Sequence, residues 1–159
     1  MTTLTIIIDT REQAPWAFPD ELAVSRRGTL GAGDYAVDGD EFFAIERKSL
    51  EDFLGTISTG WDRFRRELAR MRAAQHIARV IIVESNFEAV CFTMDPEERI
   101  IPPQHRHFTL SPQFVSLRIA ELVLDGVTVL FAGNAEYASG LAYRILLRRH
   151  LQLSGKTKA

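Results

Sequence analysis

The chain has 159 residues, 46% hydrophobic and 25% charged, with a formal net charge of -2, so one globular core fits, two full domains do not, and a uniformly basic nucleic-acid coat is excluded. The single cysteine, Cys91, cannot form an intramolecular disulfide, and no apolar run approaches the roughly 18 residues that a membrane crossing needs. Met1-Thr2-Thr3-Leu4-Thr5 lacks the features of a secretion signal, so a cytoplasmic, reducing location with no membrane partner is expected.

In chain order, Leu4 to Asp9 reads as a buried strand that ends in an acid, where open α/β sheets build their sites. Pro15 makes Gln13 to Trp16 a loop, and a weak strand is expected near Val24. Gly31-Ala32-Gly33-Asp34 then opens a hairpin: Tyr35 to Val37 goes up, Asp38-Gly39-Asp40 turns, and Phe42 to Lys48 returns. Asp34 should therefore lie across from some residue between Phe43 and Glu46. By the strand period, Glu46 and Lys48 share one face and Arg47 takes the other.

Ser49-Leu50-Glu51-Asp52 resembles a capping box for a short helix ending near Gly55. Thr59 to His76 predicts an amphipathic helix with Trp61, Phe64, Leu68 and Met71 on its core stripe and arginines opposite. Arg79 to Glu84 reads as a buried strand and Phe87 to Phe92 as a short helix or turn. Thr93 to Pro112 is polar, and its Gln104-His105-Arg106-His107 fits an exposed or substrate-side loop better than a metal site. Ser111 and Pro112 start a helix over Phe114 to Leu124, closed by Asp125-Gly126. Val127 to Phe131 is a further strand, and Asn134 caps a last helix to Leu151 whose face runs Tyr137, Leu141 and Ile145. Alternating strands and helices imply an α/β fold with a mixed sheet; no Gly-x-Gly-x-x-Gly or phosphate-loop motif supports nucleotide binding.

The acids and Lys48 suit metal-assisted phosphodiester hydrolysis. Magnesium takes oxygen ligands, one or two carboxylates plus water and substrate phosphate; Asp34 and Glu46 meet that minimum, with Asp9 or Glu12 as a third acid. Lys48 could orient the attacking water or stabilise developing charge. The bland alternative makes Asp34 a turn residue and Asp52 a mere cap. Arginines gather at Arg63, Arg65, Arg66, Arg70, Arg72 and Arg79, and again at Arg144, Arg148, Arg149, Lys156 and Lys158. Either cluster could contact phosphates, or could be a solvated face with Asp62-Arg66 and Arg63-Glu67 pairs.

An Asp, a Glu and a Lys two residues beyond that Glu match the PD-(D/E)XK nuclease superfamily. More specifically, the sequence resembles the ERCC4 nuclease family (XPF/MUS81/Hef type). Asp9-Thr10-Arg11-Glu12 matches its Asp-x-Arg-Glu, Gly33-Asp34-Tyr35 its Gly-Asp-Tyr/Phe, and Glu46-Arg47-Lys48 through Asp52 its Glu-Arg-Lys-x-x-x-Asp. Arg63-Phe64, Val129 to Asn134 and Glu136-Tyr137-Ala138 also resemble family positions.

The resemblance implies a restriction-endonuclease-like α/β fold, a nuclease domain over 1–151 and a short basic tail over 152–159. It implies a Mg2+-dependent endonuclease, with Mn2+ able to substitute, acting on branched DNA such as flaps, forks or junctions. Asp9, Glu12, Asp34, Glu46, Arg47 and Lys48 would be catalytic, with Asp34, Glu46 and Asp9 on the metal. Arg11, Arg63, Arg66 and Arg70 would contact DNA, with Gln13, Asp52 and Glu67 in support. Arg47, facing away from Glu46, could brace an acid such as Asp52. Family members usually carry a helix-hairpin-helix module after this domain and this chain stops at Ala159, so help is expected from a homodimer through the C-terminal helices (Phe114, Leu117, Leu141, Ile145, Leu146) or from a partner bearing that module. The alternative is a non-catalytic DNA-binding or scaffolding subunit.

Overall fold

Period-two alternation of branched residues builds the middle of the molecule. The computed structural model describes residues 3–73, 78–91, 93–94, 96–97, 99–101 and 110–155. Its strands are β1 (Thr5–Asp9), β2 (Val24–Gly28), β3 (Tyr35–Val37), β4 (Phe43–Lys48), β5 (Ala78–Val83), a ribbon of β6 (Thr93–Met94) and β7 (Ile100–Ile101), and β8 (Val127–Phe131). Six of them form one mixed sheet in the order β2-β1-β3-β4-β5-β8. The β1-β3 and β3-β4 pairs are antiparallel, whereas β1-β2, β4-β5 and β5-β8 are parallel.

The helices are α1 (Leu50–Ile57), α2 (Trp61–Ala73), α3 (Phe87–Cys91), α4 (Pro112–Leu124) and α5 (Ala135–Leu153). One sheet face buries Ile6, Ile8, Ile45, Val80 and Ile82 against Ala138, Ala142 and Leu146 of α5. The other buries Ile81, Val83 and Val127 against Phe53, Leu54 and Ile57 of α1, Phe64 and Leu68 of α2, and Val115 and Leu122 of α4. Each fully buried aliphatic side chain contributes about 1.5–3 kcal/mol. The mixed α/β architecture is therefore as the sequence implies. Ser49, Ser111 and Asn134 cap their helices by accepting the amides of Asp52, Phe114 and Tyr137.

Several details differ from the sequence reading. Helix α1 runs through Gly55 to Ile57, because burial of Ile57 at 0% exposure outweighs the cost of about 1 kcal/mol for a glycine within a helix. Strand β2 is an edge strand parallel to β1, mostly exposed and protected from further pairing by Arg26 and Arg27. The core stripe of α5 is turned by one residue: Ala138 and Ala142 let the helix lie close to the sheet, and Tyr137 is left 67% exposed. Leu146 is fully buried, so it cannot belong to a docking face, whereas Leu117 is exposed and Leu141 and Ile145 pack partly against the core. Residues 74–77, Gln104, His105, Arg106, His107, Lys156 and Lys158 lie outside the described residues, as do the expectations placed on them. Among the described residues, no helix is long and apolar enough to cross a membrane.

Candidate active site

Gly33 makes the site possible. Its φ is 71°, and a Cβ there would lie 2.7 Å from the Cβ of Ala44 and 3.0 Å from the carbonyl oxygen of Ile45. Only glycine combines that left-handed backbone with so close an approach. The approach lets Asp34 grip β4 twice: its amide donates to the Ile45 carbonyl at 2.8 Å, and its Oδ2 accepts the Arg47 amide at 2.8 Å. Tyr35 pairs with Ile45, and Asp34, just before it, is held against the Ile45–Arg47 segment of β4; Glu46 points to the face opposite Ile45. Lys48, two residues on, shares that face, and its Nζ is 3.1 Å from Glu46 Oε1. Burial pushes the Asp34 carboxyl above the usual range; the Arg47 amide works against that shift, Glu12 adds to it, and Lys48 and Arg79 oppose it.

Arg79, on the neighbouring β5, completes this face. Placed in the sequence among phosphate-contacting arginines, it is instead buried, with its Nη2 paired to Glu46 Oε2 and, at 3.1 Å, to Glu67 Oε1 of α2. Parallel pairing of β4 with β5 sets Arg79 beside Ala44, on the face that carries Glu46. Glu46, Lys48, Glu51, Asp52, Arg63, Phe64 and Glu67, with the α1-α2 turn, line an open cleft of about 590 Å³.

Arg47 faces the other way, as the strand period requires, but it does not brace Asp52. Its Nε donates to Glu84 Oε1 at 2.8 Å, its Nη1 reaches Glu12 Oε2 at 3.4 Å and the Ala14 carbonyl, and its guanidinium lies 5.6 Å from the Trp16 ring centroid. Trp16 Nε1 also donates to Glu84 Oε1, at 2.6 Å, and its ring stacks on Tyr35 at 4.7 Å. The Tyr35 hydroxyl accepts the Trp16 amide and donates to Glu12, and burial pushes its pKa up to about 12. Glu84 was not singled out in the sequence. The signal was there, since it follows the buried β5 just as Asp9 ends β1, at the carboxyl end of a strand. Arg11, Glu12, Gln13, Arg47, Ser49, Asp52 and Glu84 line a second opening, which meets the first at Asp52.

Asp9 adjoins Asp34 through the backbone, its amide donating to the Asp34 carbonyl at 2.8 Å, but its carboxylate is engaged elsewhere. Its Oδ1 accepts Arg11 N at 2.9 Å and Arg11 Nε at 2.6 Å, and its Oδ2 accepts Arg11 Nη2 and the Leu30 amide. The Arg11 guanidinium holds the Asp9 carboxyl at a pKa of about 2, against the opposing effect of burial. Arg11 is thereby committed to Asp9 and the Leu30 carbonyl. Asp125 takes Arg65 and Arg72, and Asp40 takes Arg149. Arg63, Arg66 and Arg70, spaced three and four apart, are exposed on α2 with no ion pair among the described residues.

Among the described residues, no three His, Cys, Asp or Glu side chains are grouped closely enough to share a metal ion. A magnesium ion that keeps several waters needs only one or two carboxylates. Asp34, with Oδ1 not engaged by the Arg47 amide, and Glu46 of the strand that holds it are two such carboxylates. The donor chemistry fits, provided that Glu46 shares its oxygens with Lys48 and Arg79.

The sequence model of the ERCC4 domain matches residues 8–145. Among solved structures, XPF from Aeropyrum pernix superimposes with a TM-score of 0.63 at 19% identity, over 90% of this chain and 65% of that one. XPF from Aeropyrum pernix in complex with DNA gives 0.64 at 21% identity, over 94% and 66%. The chain thus spans just under two thirds of either of those chains. No curated protein matches the sequence.

Proposed function

Since the chain belongs to the ERCC4 domain family, we propose that it is a metal-dependent DNA endonuclease, using Mg2+ or Mn2+ to hydrolyse phosphodiester bonds in branched DNA. One observation carries this reading: Asp34 is clamped to the Ile45–Arg47 segment of β4, the strand from which Glu46 and Lys48 reach together into an open polar cleft. The similar fold of an archaeal XPF bound to DNA supports the choice of substrate.

Asp34 and Glu46 would hold the ion. Its chemistry is Lewis acidity toward a phosphoryl oxygen and acidification of water. Lys48 holds a positive charge where negative charge develops and can orient the attacking water. Arg47 fixes Glu12 and Glu84 behind the reacting face, and Asp9 fixes Arg11 and the Leu30 loop. Arg63, at the cleft, with Arg66 and Arg70 further along α2, offers a track for the DNA backbone. A second copy docked through α4 and α5, or a partner bearing a helix-hairpin-helix module, would supply recognition of DNA shape.

A non-catalytic DNA-binding or scaffolding subunit is the second reading, favoured by the engagement of both Glu46 oxygens by cations. The two separate on incubation of the protein with labelled flap, fork and duplex DNA in Mg2+, Mn2+ or EDTA. Cleavage that EDTA and Lys48→Ala both abolish supports the enzyme. Metal-independent binding without cutting rejects it.

A further inference from the structure

Arg79 sits where the sheet needs no charge. Ile81 and Val83, the next residues of β5 on the same face, are aliphatic and fully buried, and an aliphatic residue at 79 would pack there without the penalty of burying a guanidinium. The Arg79 side chain is only 4% exposed. Its Nη2 pairs with Glu46 and Glu67, its Nη1 donates to Met71 Sδ at 3.3 Å, and its guanidinium carbon lies 4.9 Å from the Phe64 ring centroid. Its buried Nε has no hydrogen-bond partner. A guanidinium keeps its proton at neutral pH, so Arg79 is a buried cation. The unpaired Nε and the cost of burying a guanidinium argue against an arginine here. What favours it is the charge of three acids.

Those acids are Asp34, Glu46 and Glu67, and among the described residues Arg79 is the cation that pairs with both Glu46 and Glu67, with Lys48 on Glu46 and Arg63 at the cleft lining. We propose that Arg79 is a built-in counter-cation of the acidic centre, occupying the position between Glu46 and Glu67 that a second divalent ion would otherwise take. The centre therefore loads one ion per chain, and loads it more weakly than the same carboxylates would without Arg79. This deepens the metal-dependent nuclease reading and rests on it. A guanidinium at contact distance from Glu46 repels an incoming divalent cation, while its fixed position keeps the acids gathered before the ion arrives. An arginine that merely braced Glu46 would act in the opposite sense, since its loss would weaken the binding of metal.

Calorimetric titration of the full chain with Mn2+ alone, without DNA, tests the sign, with the paramagnetic resonance of bound Mn2+ counting the ions. The expected result is one ion in the wild type. Arg79→Gln, which keeps a donor for Glu46 but removes the charge, should bind at least about tenfold more tightly or accept a second ion, and Arg79→Lys should behave like the wild type. In the same samples, the rise in Tm on adding Mn2+ should be larger for Arg79→Gln, because an ion bound only by the folded state stabilises it in proportion to its affinity. Unchanged or weaker binding by a folded Arg79→Gln overturns the proposal and leaves the nuclease reading intact. Two ions in the wild type do the same without any variant. No binding by the wild type removes the metal-dependent reading itself, and the counter-cation with it.

Discussion

The carboxylate of Asp34 accepts the backbone N–H of Arg47 at 2.8 Å, so a candidate metal ligand is held by the strand that carries Glu46. Burial raises the Asp34 pKa above that of the unfolded chain. An acid with a raised folded pKa favours folding fully only below its unfolded value, and that contribution is lost as pH rises through the folded value. Ionised Asp34 therefore costs stability at neutral pH. Asp34→Asn keeps the acceptor for Arg47 and removes the charge, so its Tm should equal or exceed that of the wild type while Mg2+-dependent cleavage falls by at least about a hundredfold. Thermal unfolding and cleavage assays on one preparation check both halves.

Gly33→Ala should damage fold and site together. The new Cβ meets Ala44 at 2.7 Å, and the φ of 71° is strained for any L-residue. A loss of about 2 kcal/mol or more is expected from overpacking and strain combined. The clash lies one residue from Asp34, so affinity for Mn2+ should also fall. Urea denaturation and metal titration measure the two effects.

How much of this was legible in the sequence follows from how local each cause is. The hairpin, the caps at Ser49, Ser111 and Asn134, and the separation of Arg47 from Glu46 and Lys48 depend on residues within a few positions of one another, and the strand period carries them. Arg79 was misread because its environment is set by Glu46 and Glu67, which reach it from another strand and a helix. The partner of Arg47 was missed for the same reason: Glu84 comes alongside only when β4 and β5 pair in parallel, which continues past the strand end with the Glu84 amide donating to the Lys48 carbonyl. On α5 the sequence period places a face on Tyr137, Leu141 and Ile145, but the small Ala138 and Ala142 decide which side approaches the sheet, and Tyr137 is left exposed.

Arg47 and Glu84 should be strongly coupled. Their side chains are 23% and 13% exposed and meet at 2.8 Å, with Trp16 bonded to the same Glu84 oxygen. Removing one partner of such a pair leaves the other desolvated, so Arg47→Met and Glu84→Gln should each cost about 2–3 kcal/mol. The double variant should cost less than their sum by about 1–2 kcal/mol. Chemical denaturation of the four proteins completes the cycle; additivity would show that the contact carries no energy of its own.

Asp9 should contribute stability that acid removes. Its folded pKa of about 2 lies below the unfolded value of 3.8. Its contribution is therefore complete above about pH 4 and is lost as pH falls toward 2. Because Arg11 is 71% exposed, solvent screening reduces the expected contribution to about 1–2 kcal/mol. Asp9→Asn should be less stable than the wild type by that amount at pH 6, and the gap should close by pH 2. Denaturation midpoints across that range measure it. If the gap persisted at pH 2, the Asp9–Arg11 ion pair would not be its source.

Arg66 and Arg70 should act on affinity without acting on the chemistry, whereas Arg63 should act on both. All three are exposed on one side of α2 and make no ion pair among the described residues, whereas Arg65 and Arg72 are held by Asp125. Each phosphate contact contributes about 0.9 to the slope of log affinity against log salt on duplex DNA. Changing all three to alanine should therefore flatten that slope by about 2–3, whereas Arg65→Ala should hardly alter it. Cleavage of DNA already bound, followed in single turnovers at saturating protein, should change little for Arg66→Ala and Arg70→Ala, which lie outside the cleft lining. Arg63 lines the cleft beside Glu46, Lys48 and Glu67, so Arg63→Ala should lower both affinity and the single-turnover rate. A stripe that affected neither salt dependence nor rate would place the DNA on another face of the molecule.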